Sequence, residues 1–134
     1  MSELFEKLVR KDSIYFELDV KDLERAKEFY HRVLGLEVTW DGGDEVGWCQ
    51  LDLPVPGTRL GLNLLREGEV TPGSGIIYFD TLDLDKTERY LLEHKVKTEP
   101  INDIPNMVSI LIAHDPDGNR IGFISEPRVK TKKT

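Results

Sequence analysis

The chain has 134 residues, a net charge of −7 at pH 7, 39% hydrophobic and 32% charged residues, the make-up of one water-exposed globular domain. That acidity argues against a nucleic-acid partner, which needs a basic stripe. No apolar run approaches the ~20 residues of a membrane span, and "MSELFEKLVRKDS" has no apolar signal core, so the expected location is cytoplasmic and no membrane partner is expected.

The chain opens with Leu4, Phe5, Leu8 and Val9 on one side of a short helix, able to pack on the body or on a second subunit. Ser13 to Val20 alternates as a strand: Ile14, Phe16, Leu18 and Val20 on one face, Tyr15, Glu17 and Asp19 on the other. Asp22 is placed to cap a helix carrying Leu23, Ala26, Phe29, Tyr30, Val33 and Leu34 at helical spacing, and Gly35 to end it. Three strand-like runs follow, 37–40, 45–53 and 59–65. Cys49, the single cysteine, lies in the second run. One cysteine rules out an internal disulfide, and the alternation makes Cys49 a small buried group.

After the linker "EGEVTPGSG" the pattern recurs. Asp83 lies 61 residues beyond Asp22, and at that offset Tyr15, Glu17 and Asp19 fall on Ile76, Tyr78 and Asp80. Three further runs follow, 96–100, 108–114 and 120–125, separated by the turn clusters "NDIPN" and "DPDGN". The basic end, "RVKTKKT", reads as a solvated tail.

The expected fold class is therefore α+β: two tandem β-α-β-β-β modules forming a curved mixed sheet, a cup, with the helices on its outer face. The chain is read as one domain over 1–134, with module one about 13–65, linker 66–75, module two about 76–126 and tail 127–134. Concave surface is where a small ligand binds. By alternation the inward set is Tyr15, Glu17, Asp19, Ile76, Tyr78, Asp80, Gly122 and Ile124. The middle strands add Trp48 and Gln50, and Arg59, Gly61 and Asn63. A one-residue slip in those strands would invert these faces.

"DVKDLERAKEFYHRVLGLEV" with the later "HDPDGNRIGFI" resembles the vicinal oxygen chelate superfamily, which includes glyoxalases, bleomycin-resistance proteins and extradiol dioxygenases. The resemblance runs from about Ile14 to Glu126. It implies the tandem fold and leaves the reaction open, because the fold hosts many. Metal-dependent members place His, Glu or Gln on four inward positions, and the bound divalent ion takes two adjacent substrate oxygens. Carried onto this chain, those positions are Tyr15, Ile76, Gly122, and Gly61 or Asn63. Gly122 and Ile76 have no side-chain donor. A protonated phenol is a weak ligand, and Asn63 offers a neutral oxygen. His31 and His94 fall on helices, and His114 precedes a turn.

No metal ligand and no cofactor are therefore expected. The leading expectation is a metal-independent protein that binds a small organic molecule, ligand unknown, and forms a homodimer, as bleomycin-resistance proteins imply. Its ligand-binding residues are Tyr15, Glu17, Trp48, Gln50, Asn63, Tyr78, Asp80 and Gly122. The alternative is a glyoxalase-type lyase or isomerase that uses an atypical metal, or Glu17 as general base. A third reading makes the chain a partner-binding protein with a vestigial cup.

Overall fold

Asp22 and Asp83 each begin a helix, as an acidic cap ahead of an apolar-periodic run requires. The Asp22 carboxylate accepts from the Arg25 N–H at 3.0 Å, and Asp83 accepts from the Lys86 N–H at 3.0 Å. From the first cap runs α1 (Leu23–Lys27), which continues as a π-helical segment, Glu28–Val33, before Gly35 reverses the chain at φ +80°. From the second runs α3 (Leu84–Glu93). The computed structural model describes residues 1–132. Within it the chain divides into two units, Met1–Val70 and the part from Thr71 onward.

The first unit holds β1 (Ile14–Val20), β2 (Glu37–Asp41), β3 (Trp48–Asp52) and β4 (Thr58–Leu64) in the order β1-β4-β3-β2. β1 runs parallel to β4, and the other pairs are antiparallel. The helix packs on β3 and β4. Ala26, Tyr30, Cys49, Leu51, Leu60 and Leu62 are sealed between them, each at most 1% exposed. Burying each such aliphatic side chain is worth about 1.5–3 kcal/mol.

The second unit repeats this layout with β5 (Ile77–Asp80), β6 (Lys97–Thr98), β7 (Asn102–Ile104), β8 (Val108–His114) and β9 (Arg120–Ser125). The order is β5-β9-β8-β6, with β7 also on β8, and β5 is parallel to β9. Leu84, Leu91, Val96, Leu111, Ala113 and Ile121 form its core under α3. Within "DPDGN" the Asp115 carboxylate accepts from the backbone N–H groups of Asp117 and Asn119 at 2.9 and 2.8 Å, and Gly118 takes φ +85°. Asp115 is thus a turn former.

Three segments differ from the sequence expectation. The run 45–53 is not all strand. Its beginning belongs to a helical turn, α2 (Gly43–Val46), started by Asp41 accepting from the Gly43 N–H at 2.9 Å and closed by Gly47 at φ +79°. Asn102–Ile104, within the "NDIPN" turn cluster, forms β7. The reversal is confined to Pro105, Asn106 and Met107, with Asn106 at φ +65°. The tail is tied down rather than free from Arg128 to Thr131. Asn106 donates to the Val129 carbonyl and bonds Thr131 twice, at 2.9 Å each. Arg128 forks onto Asp103 and also meets Asp85. The last two tail residues lie outside the described part.

Candidate functional site

On the first unit, the sheet face away from the helix collects the polar and aromatic side chains. In register across β1, β4 and β3 lie Glu17, Gly61 and Gln50. One step toward the start of β1 are Tyr15, Arg59 and Asp52. One step toward its end are Asp19, Asn63 and Trp48. The middle-strand faces therefore match the alternation: Leu60, Leu62, Cys49 and Leu51 go to the core, and Arg59, Asn63, Trp48 and Gln50 to the open side.

Most polar groups here are already engaged. Arg59 Nη1 donates to the Tyr15 hydroxyl at 3.0 Å, its guanidinium stands 5.4 Å from the ring centroid, and its Nε is 3.7 Å from Asp52. Asn63 Nδ2 donates to Asp19 at 3.0 Å. Gln50 Nε2 reaches the Thr39 hydroxyl at 3.4 Å. Glu17 differs: exposed on β1, it has no hydrogen-bond or ion-pair partner among the described residues.

Glycine explains where Trp48 sits. A Cβ added at Gly61 would lie 2.0 Å from Trp48 Cζ2, so the indole rests on the bare backbone of β4. Trp40 is a residue that alternation did not find. Counted from Val38, which faces Leu51, Trp40 belongs on the core side. The register slips between Val38 and Trp40, so that Trp40 pairs with Gln50 and Asp41 with Cys49. The bulge turns Trp40 onto the open face, where it is 49% exposed. Asp41 is thereby aimed at the helix, 2.9 Å from Lys27 Nζ, and this pairing, with Glu24, raises the lysine pKa.

The second unit repeats the device. Gly122 lies 61 residues beyond Gly61, the same offset as the two helix caps. A Cβ there would stand 2.2 Å from Tyr78 Cδ1 and 3.1 Å from Ile76 Cγ2. The space that Gly122 frees is therefore taken by side chains of its own unit, not left as room for a ligand to reach the backbone. Tyr78 and Asp80 pair with Gly122 and Ile124. Tyr78 remains 46% exposed.

The donor set for a metal can be tested on each unit. Among the positions carried over from metal-dependent relatives, Gly61, Gly122 and Ile76 offer no donor. Tyr15 is bonded to Arg59, and Asn63 to Asp19. Among the described residues no three His, Cys, Asp or Glu side chains are grouped so as to hold a metal ion. These residues do not fit the superfamily's ion. The histidines are occupied elsewhere: His31 with the Leu36 carbonyl at 2.7 Å, His94 with the Tyr90 carbonyl at 2.8 Å, and His114 with Glu99 at 2.9 Å. Cys49 is fully buried. Burial, aided by the Asp41 carboxylate, pushes its thiol up to about 11, so it is no nucleophile at neutral pH.

A family model described as the Glyoxalase/Bleomycin resistance protein/Dioxygenase superfamily matches residues 14–123. No curated protein matches the chain. Among solved structures, TnmS3, an antibiotic binding protein from Streptomyces sp. CB03234, is 26% identical with a TM-score of 0.71, over 89% of this chain and 98% of that one. A superfamily member from Sphaerobacter thermophilus is 25% identical with a TM-score of 0.69, over 85% and 96%. A lactoylglutathione lyase from Agrobacterium tumefaciens, 18% identical, shares the fold with a TM-score of 0.70 over 87% and 95%.

Proposed function

Because this chain belongs to the Glyoxalase/Bleomycin resistance protein/Dioxygenase superfamily, we propose that it is a metal-independent protein that binds a small organic molecule. One observation carries the reading. Gly61 and Gly122, at equivalent places in the two modules, each lie beneath an aromatic ring of their own unit. Metal-dependent relatives present a ligating side chain from the last strand of each module. Here that strand presents bare backbone at the glycine, covered by a ring from the neighbouring strand. The similarity to an antibiotic binding protein over nearly the whole chain supports a binding role. Each unit offers its own proposed contacts: Tyr15, Glu17, Trp48, Gln50 and Asn63 on the open face of the first, and Tyr78 and Asp80 on the second, with Gly122 as the seat of Tyr78.

The test is elemental analysis of the purified protein together with a thermal-shift screen of small organic molecules, with and without EDTA. The expected result is substoichiometric metal and a saturable stabilisation that EDTA leaves unchanged, worth about 2.7 kcal/mol at a hundredfold excess over Kd. A stoichiometric divalent ion, with a ligand response abolished by EDTA, overturns the reading.

The second reading, a lyase or isomerase with an atypical metal or with Glu17 as base, draws on the free Glu17 carboxylate. Glu17→Gln separates the two. It would abolish turnover of a carbonyl substrate with binding intact if Glu17 is a base, and would alter only affinity if it is not.

A homodimer is the assembly we propose. β1 is the edge of its sheet, and Ile14 and Phe16 are 54% and 38% exposed there, an apolar edge that a partner would cover. A cytoplasmic setting accompanies this reading. Among the described residues no helix is long and apolar enough to cross a membrane.

A further inference from the structure

We infer that the first unit carries a second ligand site, a cavity at the start of β1 that takes the chain of an aliphatic carboxylate, with Lys11 meeting the head group. It is separate from the open face and goes beyond the reading above.

Three segments build it. The cavity, about 380 Å³, is lined by Met1, Phe5 and Val9 along the helical segment Leu4–Leu8, by residues 10–14, and by residues 56–58 of the β3–β4 turn. That volume falls within the roughly 300–1,000 Å³ of small-molecule sites. Ile14 lines it, and Ile14 and Tyr15 point to opposite faces of β1. The cavity therefore meets β1 on the side away from the open face.

Its two walls differ. The turn wall is fixed: Thr58 donates its N–H to the Val55 carbonyl at 3.1 Å, and Ile14 to the Gly57 carbonyl at 2.8 Å. Gly57 takes φ +80°, and a Cβ there would stand 2.1 Å from the Asp12 carbonyl, so the chain at Asp12 rests directly on the turn. The helical wall is not tied. Among the described residues Met1–Val9 makes no hydrogen bond or ion pair outside its own segment, and none of Leu4–Leu8 is buried. It can settle on an aliphatic chain without breaking a bond, and doing so would bury Phe5 and Val9, both exposed as the protein stands.

Charge selects the head group. Three lining side chains are ionised. Arg10 and Asp12 close on each other through two bonds of 3.0 Å. Lys11 has no partner among the described residues. The lining side chains thus carry one net positive charge in a chain of net charge −7. An apolar cavity with one unmatched ammonium calls for an apolar body that ends in one anionic group.

The test is isothermal titration of the full chain with hexanoate, octanoate, decanoate and decylamine. Decanoate should bind saturably, and affinity should rise by up to about fourfold per methylene from hexanoate. Decylamine should bind about fivefold more weakly or less. Lys11→Met, which keeps the apolar stem, should weaken decanoate about fivefold and leave decylamine no weaker. Phe5→Gln should weaken decanoate about tenfold, and Phe5→Leu should restore most of the loss. Phe5 lies in a segment with no buried residue, so neither variant threatens the fold. In NMR spectra decanoate should shift the amides of Gly57 and Thr58.

Equal affinity for decanoate and decylamine, no dependence on chain length, or shifts confined to Glu17, Trp48 and Gln50 overturn the second site while small-molecule binding on the open face stands. An absence of saturable decanoate binding also overturns it. In that case sedimentation with vesicles of anionic phospholipid would make the helical segment a membrane contact. A lower molar mass for Phe5→Gln in light scattering would make it a contact between copies.

Discussion

Trp48 and Tyr78 cover Gly61 and Gly122 because a side chain at either glycine would occupy the ring's volume. Gly61→Ala and Gly122→Ala must therefore displace an aromatic ring, and overpacking of this kind costs about 1–3 kcal/mol. Urea denaturation of both variants checks this. A change within a few tenths of a kcal/mol at both positions would mean that the rings are not seated as described. Cys49 gives a second residue-scale expectation. Buried at 0% exposure with its thiol near 11, it should ignore a thiol reagent in native buffer and react fully in denaturant. Leu62, fully buried between sheet and helix, should cost about 2–5 kcal/mol on truncation to alanine.

At the scale of elements, the C-terminal clip is the feature with a clear pH signature. Asp103 is held down to about 2, first by hydrogen bonds from Arg128 and Ser109 and then by the guanidinium charge. A carboxylate with a depressed folded pKa stabilises fully above its ordinary value of 3.8 and loses that contribution as pH falls through the folded value. The clip should hold at pH 5 and release between about pH 4 and 2. An NMR titration of the Asp103 carboxyl reads this directly, and Arg128→Ala should return its midpoint to the ordinary carboxylate range. The α2 turn is the comparable element beside the candidate site. Arg66 donates to the Asp44 and Glu45 carbonyls at its end, and removing Arg66 should raise amide exchange across Gly43–Val46 while β3 and β4 stay protected.

For the molecule as a whole, the expectation concerns assembly. A proposed homodimer should scatter light with twice the mass of the 15.4 kDa chain, and Phe16→Glu on the β1 edge should return it to the mass of one chain. A mass of one chain for the unaltered protein would leave the β1 edge without the proposed partner.

The repeat was legible in the sequence because its causes are local. Asp22 and Asp83 cap helices through their own third neighbours, and period-two alternation sorts Leu60 and Leu62 from Arg59 and Asn63. The "DPDGN" turn closes on the Asp115 carboxylate. That Gly61, Gly122 and Ile76 carry no side-chain donor was equally legible, since it follows from residue type alone. Tertiary structure decided the rest. The β2 bulge that brings Trp40 to the open face depends on pairing with β3, which no alternation within β2 can reveal. The reason for glycine at 61 and 122 also lies outside their own strands, in rings delivered by β3 and β5. Local periodicity chose the elements and their inner and outer faces; contact between strands decided which of those side chains meet on the candidate site.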